Sequence, residues 1–466
     1  MSGSEKKFKR DLLLVVGSNV IVLISSIVTG FIIPKILGVH GYGIYKMFTL
    51  YLGYGALLHF GYVDGILLNY AGNDYETLEL NKFRTYTYFF VWMQIGVSGV
   101  FCVCSFFLKN IYRWLMILLG IDIAIVNVTT YYQFISQGTM RFKELSIRNT
   151  LKSIFKIVLA FTLFFISNIP KERLTFEYII GTITVDALLL LWYVYTYREI
   201  TFGSKQSIRE NRQDIKKLFR TGIILTISYQ VAQLIFLLDQ QYVALLFDTN
   251  TYGIYSFAYN LIHVVITVIG AVSLVLFPTL KRKNAENIVQ HFSEGIAIIT
   301  VFAFFVLIGY YPLCGIITKF LPNYQSALIY LQIMFPGLVL TCCINMIMFT
   351  YYKALNIQKV FLKKSVIVLV VSIILNMIAY IIFKSPVAIS VMSIIVLFIW
   401  YIICEMEFVN RYAVKWKRNF WYTICMAGIF YMVVMGMDNK KIGCMFYAGA
   451  FMLLTKVCYG KNMRKK

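Results

Sequence analysis

The feature that most constrains this chain is a run of about twenty apolar residues that recurs along its whole length with only short polar breaks. A helix of that length crosses the roughly 30 Å hydrocarbon core of a bilayer, and within lipid the backbone must satisfy its own hydrogen bonds. The runs fall at approximately 12–37, 42–70, 85–108, 111–136, 149–168, 175–197, 220–247, 252–279, 294–318, 325–352, 362–383, 385–408, 419–436 and 441–459. The expected fold is therefore all-α, a polytopic membrane protein of about fourteen transmembrane helices. Composition agrees: 59% of the 466 residues are hydrophobic and 14% charged, with a mean hydropathy of +0.73, against about 25% charged residues in soluble domains.

Lys6, Lys7, Lys9 and Arg10 precede the first run as they would in a signal peptide. The run, however, exceeds the 7 to 15 residues of such a core and meets no small-residue cleavage site, so it reads as an uncleaved first span. The net charge of +23 suggests nucleic acid only if the loops are ignored. With the N-terminus inside, 34 of the 44 lysines and arginines fall in inner loops and 10 in outer ones. That alternation follows the positive-inside rule; it predicts a plasma-membrane protein with both termini cytoplasmic and gives no nucleic-acid signal. The nine cysteines lie mostly within spans and read as small packing residues, not as a disulfide framework.

No loop is long enough to fold alone. The longest, Arg198 to Arg220, contains SIRENRQDIKKLFR, where Ile208, Ile215, Leu218 and Phe219 predict a helix lying on the inner membrane surface. It separates two sets of six spans that carry a repeat: Tyr42-Gly43-Ile44-Tyr45 opens the second span, and Tyr252-Gly253-Ile254-Tyr255 opens the eighth. Because six is even, the two sets share one orientation and are expected to be related by a pseudo-two-fold axis along the membrane normal. The expected organisation is a six-helix lobe over 1–197, a linker over 198–219, a second six-helix lobe over 220–408 and two appended helices over 409–466.

Catalytic and nucleotide signatures are absent. There is no G-x-x-x-x-G-K-[ST] loop for ATP, no G-x-S-x-G elbow, and His40, His59, His263 and His291 are scattered. No enzyme activity, metal or cofactor is expected. What the sequence does offer is ionisable groups at membrane depth, costly enough to be functional candidates by default: Asp64, Asp122, Asp186 and Asp239. The alternative for each is a packing role opposite a lysine or a helix end. Polar residues gather in span 7 (Ser228, Tyr229, Gln230, Gln233, Gln240, Gln241) and at the end of span 4 (Asn127, Thr129, Thr130, Tyr131, Tyr132, Gln133), as if both lined a wet cavity. Arg148, Lys152 and Lys156 recur every fourth residue on one face of span 5. They form either a cationic rail for a phosphate group or a set of interfacial anchors that snorkel. Tyr51, Tyr54, Tyr131, Tyr132, Tyr229 and Tyr242 could offer ring faces to sugars.

The stretch GFIIPKILGVHGYGIYKMFTLYLGYGALLHFGYVDGILL, the segment YYQFISQGTMRFKELSIRNTLKSI and the later TYGIYSFAYN resemble the polysaccharide transporter (Wzx-type oligosaccharide flippase) family, within the multidrug, oligosaccharidyl-lipid and polysaccharide exporter superfamily. The resemblance implies two six-helix lobes, two appended helices, and alternating access for a polyprenyl-diphosphate-linked oligosaccharide moved from the inner to the outer face. The partners so implied are that lipid-linked substrate and the bilayer. The family commonly follows the acid of span 7 with a basic residue; here Gln240 and Gln241 follow Asp239. An ion-coupled drug antiporter of the same superfamily shares the expected fold. A membrane glycosyl polymerase fits less well, because every outer loop is short.

Overall fold

The computed structural model describes residues 3–166, 169–273, 289, 291–355, 357–437 and 439–463. The basic residues Lys281, Arg282 and Lys283, the end of the run at 252–279, and Lys466 lie outside the described residues. All regular structure among the described residues is helical. The chain divides into two compact units, Met1–Gln233 and Leu234–Lys466.

Unit 1 holds α1 (Gly3–Tyr54), α2 (Tyr62–Tyr70), α3 (Leu80–Ser105), α4 (Asn110–Gly138), α5 (Phe142–Phe165), α6 (Lys171–Thr196), a single turn α7 (Arg198–Thr201) and the start of α8 (Arg212–Leu246). The first two apolar runs share α1, which is interrupted only at Gly38, with φ 68° and ψ 178°. The apolar stretch Gly17–His59 has 43 residues, about 64 Å of helix at 1.5 Å per residue, twice the thickness of the hydrocarbon core. The break at Gly38 is where such a length divides.

α2 crosses the start of α8 at backbone contact. A Cβ on Gly61, Gly65 or Gly222 would run into the main chain of the opposing helix, and Gly61 also has φ +84°. Asn69 Nδ2 donates to Thr221 Oγ1 at 3.0 Å beside this crossing. The adjoining core is aromatic: Tyr62 stacks on Phe90 at 5.1 Å between ring centroids, Phe90 on Tyr131 at 5.5 Å, and Tyr132 on Tyr197 at 5.8 Å. Offset ring pairs of this kind add stabilisation beyond the area they bury. The predicted surface helix is present only in its second part and is not a separate element: residues 202–211 carry no helix, while 212–220 open α8, which runs unbroken from Arg212 with Ile215 and Leu218 buried in this core. Their apolar face finds a protein partner, so it has no need of lipid.

Unit 2 holds the end of α8, then α9 (Thr249–Ser273), α10 (Phe292–Val306), α11 (Tyr310–Phe320), α12 (Ala327–Met334), α13 (Gly337–Cys342), a π-helical segment Cys343–Met348, α14 (Phe349–Ala354), α15 (Gln358–Phe383), α16 (Pro386–Tyr412), α17 (Lys417–Gly436) and α18 (Lys440–Met463). α15 and α16 form a tight hairpin. Lys384 turns the chain in the left-handed region, the Ser385 hydroxyl accepts from the Val387 N–H at 3.3 Å, and Pro386 starts the next helix, a position that tolerates its missing N–H. α12 and the helix after it bend by 53° at Pro336.

Ten helices among the described residues are long and apolar enough to span a membrane, eleven if the bent pair counts as one span. The expected count of fourteen differs for physical reasons. α1 joins two runs, α5 carries Arg148, Lys152 and Lys156 and so fails on charge, and α9 begins a run whose end is not described. Each half of the repeat keeps its local place: Tyr42 follows the break at Gly38, Tyr252 sits in the first turn of α9, and both are buried.

Candidate functional site

Unit 1 gathers charge at membrane depth. Lys152 on α5 meets Asp186 on α6 with Nζ 2.5 Å from Oδ1, their side chains 24% and 11% exposed. This pair exists because α5 packs against α6, which brings the middle of the stripe opposite the acid. Lys156, one turn on, feels the charges of Lys152, Asp186, Arg148 and Asp122. Asp122 on α4 is 1% exposed, and its Oδ1 accepts no hydrogen bond among the described residues. Arg148 donates to Asn149 Oδ1 at 3.1 Å, while its Nε is buried with no acceptor among the described residues.

Sequence reasoning missed one member. Lys46, which is one of the ten cations that the positive-inside pattern puts toward the outer face, lies inside unit 1, over the rings of Tyr42 and Tyr45 at 5.4 and 6.0 Å and close enough to Lys156 for mutual repulsion. Tyr45 in turn packs edge-on to Tyr178 at 4.7 Å. The available signal was its position one turn into the second run, on the face that carries Tyr42 and Tyr45. The assembled group holds four cations (Lys46, Arg148, Lys152, Lys156) and two carboxylates (Asp122, Asp186). Buried charge is tolerated where it is paired, and among the described residues the cations of this group outnumber its carboxylates.

The remaining expected residues do not join this group. Asp64 on α2 accepts from the Thr226 hydroxyl and lies 3.8 Å from His59 Nε2. His59 Nδ1 accepts the Gly61 N–H at 3.2 Å, which leaves the ring proton on Nε2, toward the carboxylate. Gln230 is buried at 5% exposure, and Gln233 donates to the Tyr229 hydroxyl at 3.2 Å. Asp239 belongs to unit 2, where it accepts from the Tyr255 hydroxyl at 2.8 Å, from the Gln240 N–H at 2.7 Å, and from Ser393. It borders a cavity of about 30 Å³, room for a water molecule.

Two expectations are corrected. The polar end of span 4 does not line open space: Asn127 donates to Gly55 O at 3.1 Å and Gln94 Oε1 at 3.0 Å, Thr129 and Thr130 bond back to their own helix, and Tyr131 and Tyr132 are sealed in the aromatic core. The Tyr242 hydroxyl donates to Ile373 O at 3.0 Å, a bond that leaves its ring face uncovered by this contact. Glu405 on α16 also escaped notice. It is 1% exposed, with Oε2 accepting no hydrogen bond among the described residues. No group of three or more His, Cys, Asp or Glu side chains among the described residues forms a metal-holding cluster.

Residues 8–284 match the model of a family described as polysaccharide biosynthesis protein. The chain belongs to this family. No curated protein matches the sequence significantly. Solved structures share its fold: lipid II flippase MurJ in an inward closed conformation superposes with a TM-score of 0.71 at 14% identity, over 97% of this chain and 99% of that one. An outward-facing multidrug resistance MATE family transporter of the MOP superfamily gives 0.57 at 11% identity over 86% and 96%, and a MOP superfamily transporter from Pyrococcus furiosus gives 0.52 at 12% identity over 86% and 96%. The protein is thus a multi-pass membrane protein with the fold of MOP-superfamily transporters.

Proposed function

We propose that the protein is a flippase that carries a polyprenyl-diphosphate-linked oligosaccharide from the inner to the outer face of the plasma membrane by alternating access, for surface polysaccharide synthesis. The observation that carries this reading is the excess of cations at membrane depth in unit 1, in a chain of the polysaccharide biosynthesis family. A diphosphate is a dense anion, and charge-assisted hydrogen bonds from Arg and Lys are the contacts that hold it. Lys152 is already engaged by Asp186, so phosphate competes with that carboxylate for the ammonium. Arg148 and Lys156 flank the exchange. The proposed organisation keeps the lobes at 1–197 and 220–408, the linker at 198–219, the appended helices at 409–466, and both termini cytoplasmic. In that orientation an inside-negative potential favours outward movement of negative charge by roughly 2.3 kcal/mol per charge per 100 mV.

The test is export of lipid-linked sugar in a strain lacking its own flippase. With expression matched, Lys152→Gln together with Lys156→Gln is expected to lower export at least about tenfold, on the scale of one or two charge-assisted contacts. Arginine at both positions retains more, since it keeps the charge and the donors. Undiminished export by the double glutamine variant reduces the lysines to interface anchors.

A second reading has an observation of its own: MATE transporters match the fold over 86% of the chain, and the depth acids Asp186 and Asp239 suit a proton- or sodium-coupled drug antiporter. Flux of a cationic dye against flux of a lipid-linked sugar, in the same vesicles, separates the two.

A further inference from the structure

A cleft of about 610 Å³ opens on unit 1 where three loops of one face meet. Tyr75 and Glu76 come from the segment between α2 and α3, Arg141 from the junction of α4 and α5, and Tyr195, Arg198 and Glu199 from the end of α6 and the start of α7. Its volume lies in the range of small-molecule sites. None of these residues belongs to the charged group described above.

The walls are braced from behind. Ser136 and Tyr197 hydroxyls are 2.7 Å apart, Tyr197 donates to Glu144, and Glu144 holds the Arg141 guanidinium. The Arg141 guanidinium lies over two rings, 4.4 Å from the Tyr75 centroid and 5.1 Å from that of Tyr197. On the other side, Arg84 Nε donates to Glu199 O at 2.7 Å, Thr87 to Ile200 O at 3.0 Å, and Tyr132 and Thr201 hydroxyls meet at 2.9 Å. A supporting shell of this kind fixes contact groups before a ligand arrives. What faces the cleft stays available. Glu76 and Glu199 are exposed and make no ion pair among the described residues, and Tyr195 is 69% exposed with Arg198 over one face of its ring at 5.5 Å. The Tyr75 hydroxyl, by contrast, is itself buried and donates to nothing among the described residues, and burial pushes its pKa up to about 12, so it keeps its proton.

The chemistry selects the ligand. Guanidinium groups only donate hydrogen bonds and carboxylates only accept them. Arg141 is already neutralised by Glu144, and Arg198 stands with Glu76 and Glu199, so the cleft carries no excess of positive charge to attract an anion such as a diphosphate. A hydroxyl both donates and accepts, and an open aromatic face suits the apolar side of a sugar ring. We propose that the cleft is a glycan-docking site, which holds an uncharged, hydroxyl-rich part of the lipid-linked oligosaccharide before it enters the membrane path; this rests on the flippase reading.

The test uses full-length protein in detergent and, as probe, the oligosaccharides released by mild acid from the polyprenyl-diphosphate lipids of the source cells, fluorescently labelled at the reducing end. Wild type and an exposed control outside the cleft, Glu210→Gln, are expected to bind alike. Glu76→Gln with Glu199→Gln, and separately Tyr195→Ala, are expected to bind at least about tenfold more weakly, given what a hydrogen bond to a charged group contributes. Inorganic pyrophosphate is expected not to compete. Failure of the wild type to bind the probe, equal binding by the variants, or displacement by pyrophosphate overturns the docking site while export by the wild type still upholds the flippase reading. Source cells that contain no such lipid pool overturn both.

Discussion

At the scale of single residues, the Lys152–Asp186 pair changes what the cationic stripe means. A spacing of four puts Arg148, Lys152 and Lys156 on one face of a helix, and that much was legible in the sequence. The identity of the opposing helix was not, because it depends on how α5 and α6 pack. Asp186→Asn leaves a largely buried ammonium without its counter-charge, so stability is expected to fall by about 2 kcal/mol, below the range for fully buried pairs because the side chains keep some exposure. Lys152→Gln in the Asp186→Asn background is expected to recover part of that loss, and thermal unfolding of the single and double variants in one detergent gives the coupling. Equal stability across the set means that the pair contributes nothing. Lys46 was misjudged for the same reason as the pair: a cation near a span end looks interfacial until the neighbouring helix brings Lys156 beside it.

At the scale of elements, helices were legible and their partners were not. Apolar length marked most runs. It could not show that Ile215 and Leu218 face an aromatic core, since the same spacing serves a helix lying on lipid. The close crossing of α2 and α8 depends on glycine at three positions. Gly222→Ala drives a methyl group into the Gly61 carbonyl and the Gly65 amide, and is expected to destabilise the protein by about 1 to 3 kcal/mol, the usual range for overpacking. Gly53→Ala meets nothing within 4 Å and serves as the control in the same unfolding assay.

The start of α9 offers a test in pH. The Asp248 carboxylate accepts from the Asn250 and Thr251 N–H groups at 2.9 and 3.1 Å and from the Thr251 hydroxyl at 2.5 Å. The Thr251 hydroxyl first, and then the backbone amides, hold its carboxyl below the usual carboxylate range. Its folded pKa is thus depressed, so its contribution is complete above the unfolded value near 4 and fades as pH falls through the lower folded value. Asp248→Ala is expected to cost about 1 kcal/mol at neutral pH, as caps do, and less below about pH 4. Asp248→Asn keeps an accepting oxygen, and its stability relative to wild type should not worsen on acidification. Thermal unfolding between pH 3 and 7 checks both signs.

For the whole molecule, the all-helical membrane class follows from composition and apolar runs alone, and the family match extends over residues 8–284. Orientation rests on the distribution of basic residues. A cysteine placed at Ser207, in a variant without the native cysteines, is expected to escape an impermeant maleimide in intact cells and to react after permeabilisation. Labelling in intact cells reverses the orientation and turns the face bearing Arg198 and Glu199 outward.

The helix α8 has a consequence for how such a chain can be taken apart. The basic loop around 202–211 is where the apolar runs suggest a division between two halves, yet the division into compact units falls at Gln233, some six turns further on at 3.6 residues each. A fragment cut at the loop therefore lacks the helix that covers Gly61 and Gly65, while its complement begins with a helix whose packing surface lies on the other piece.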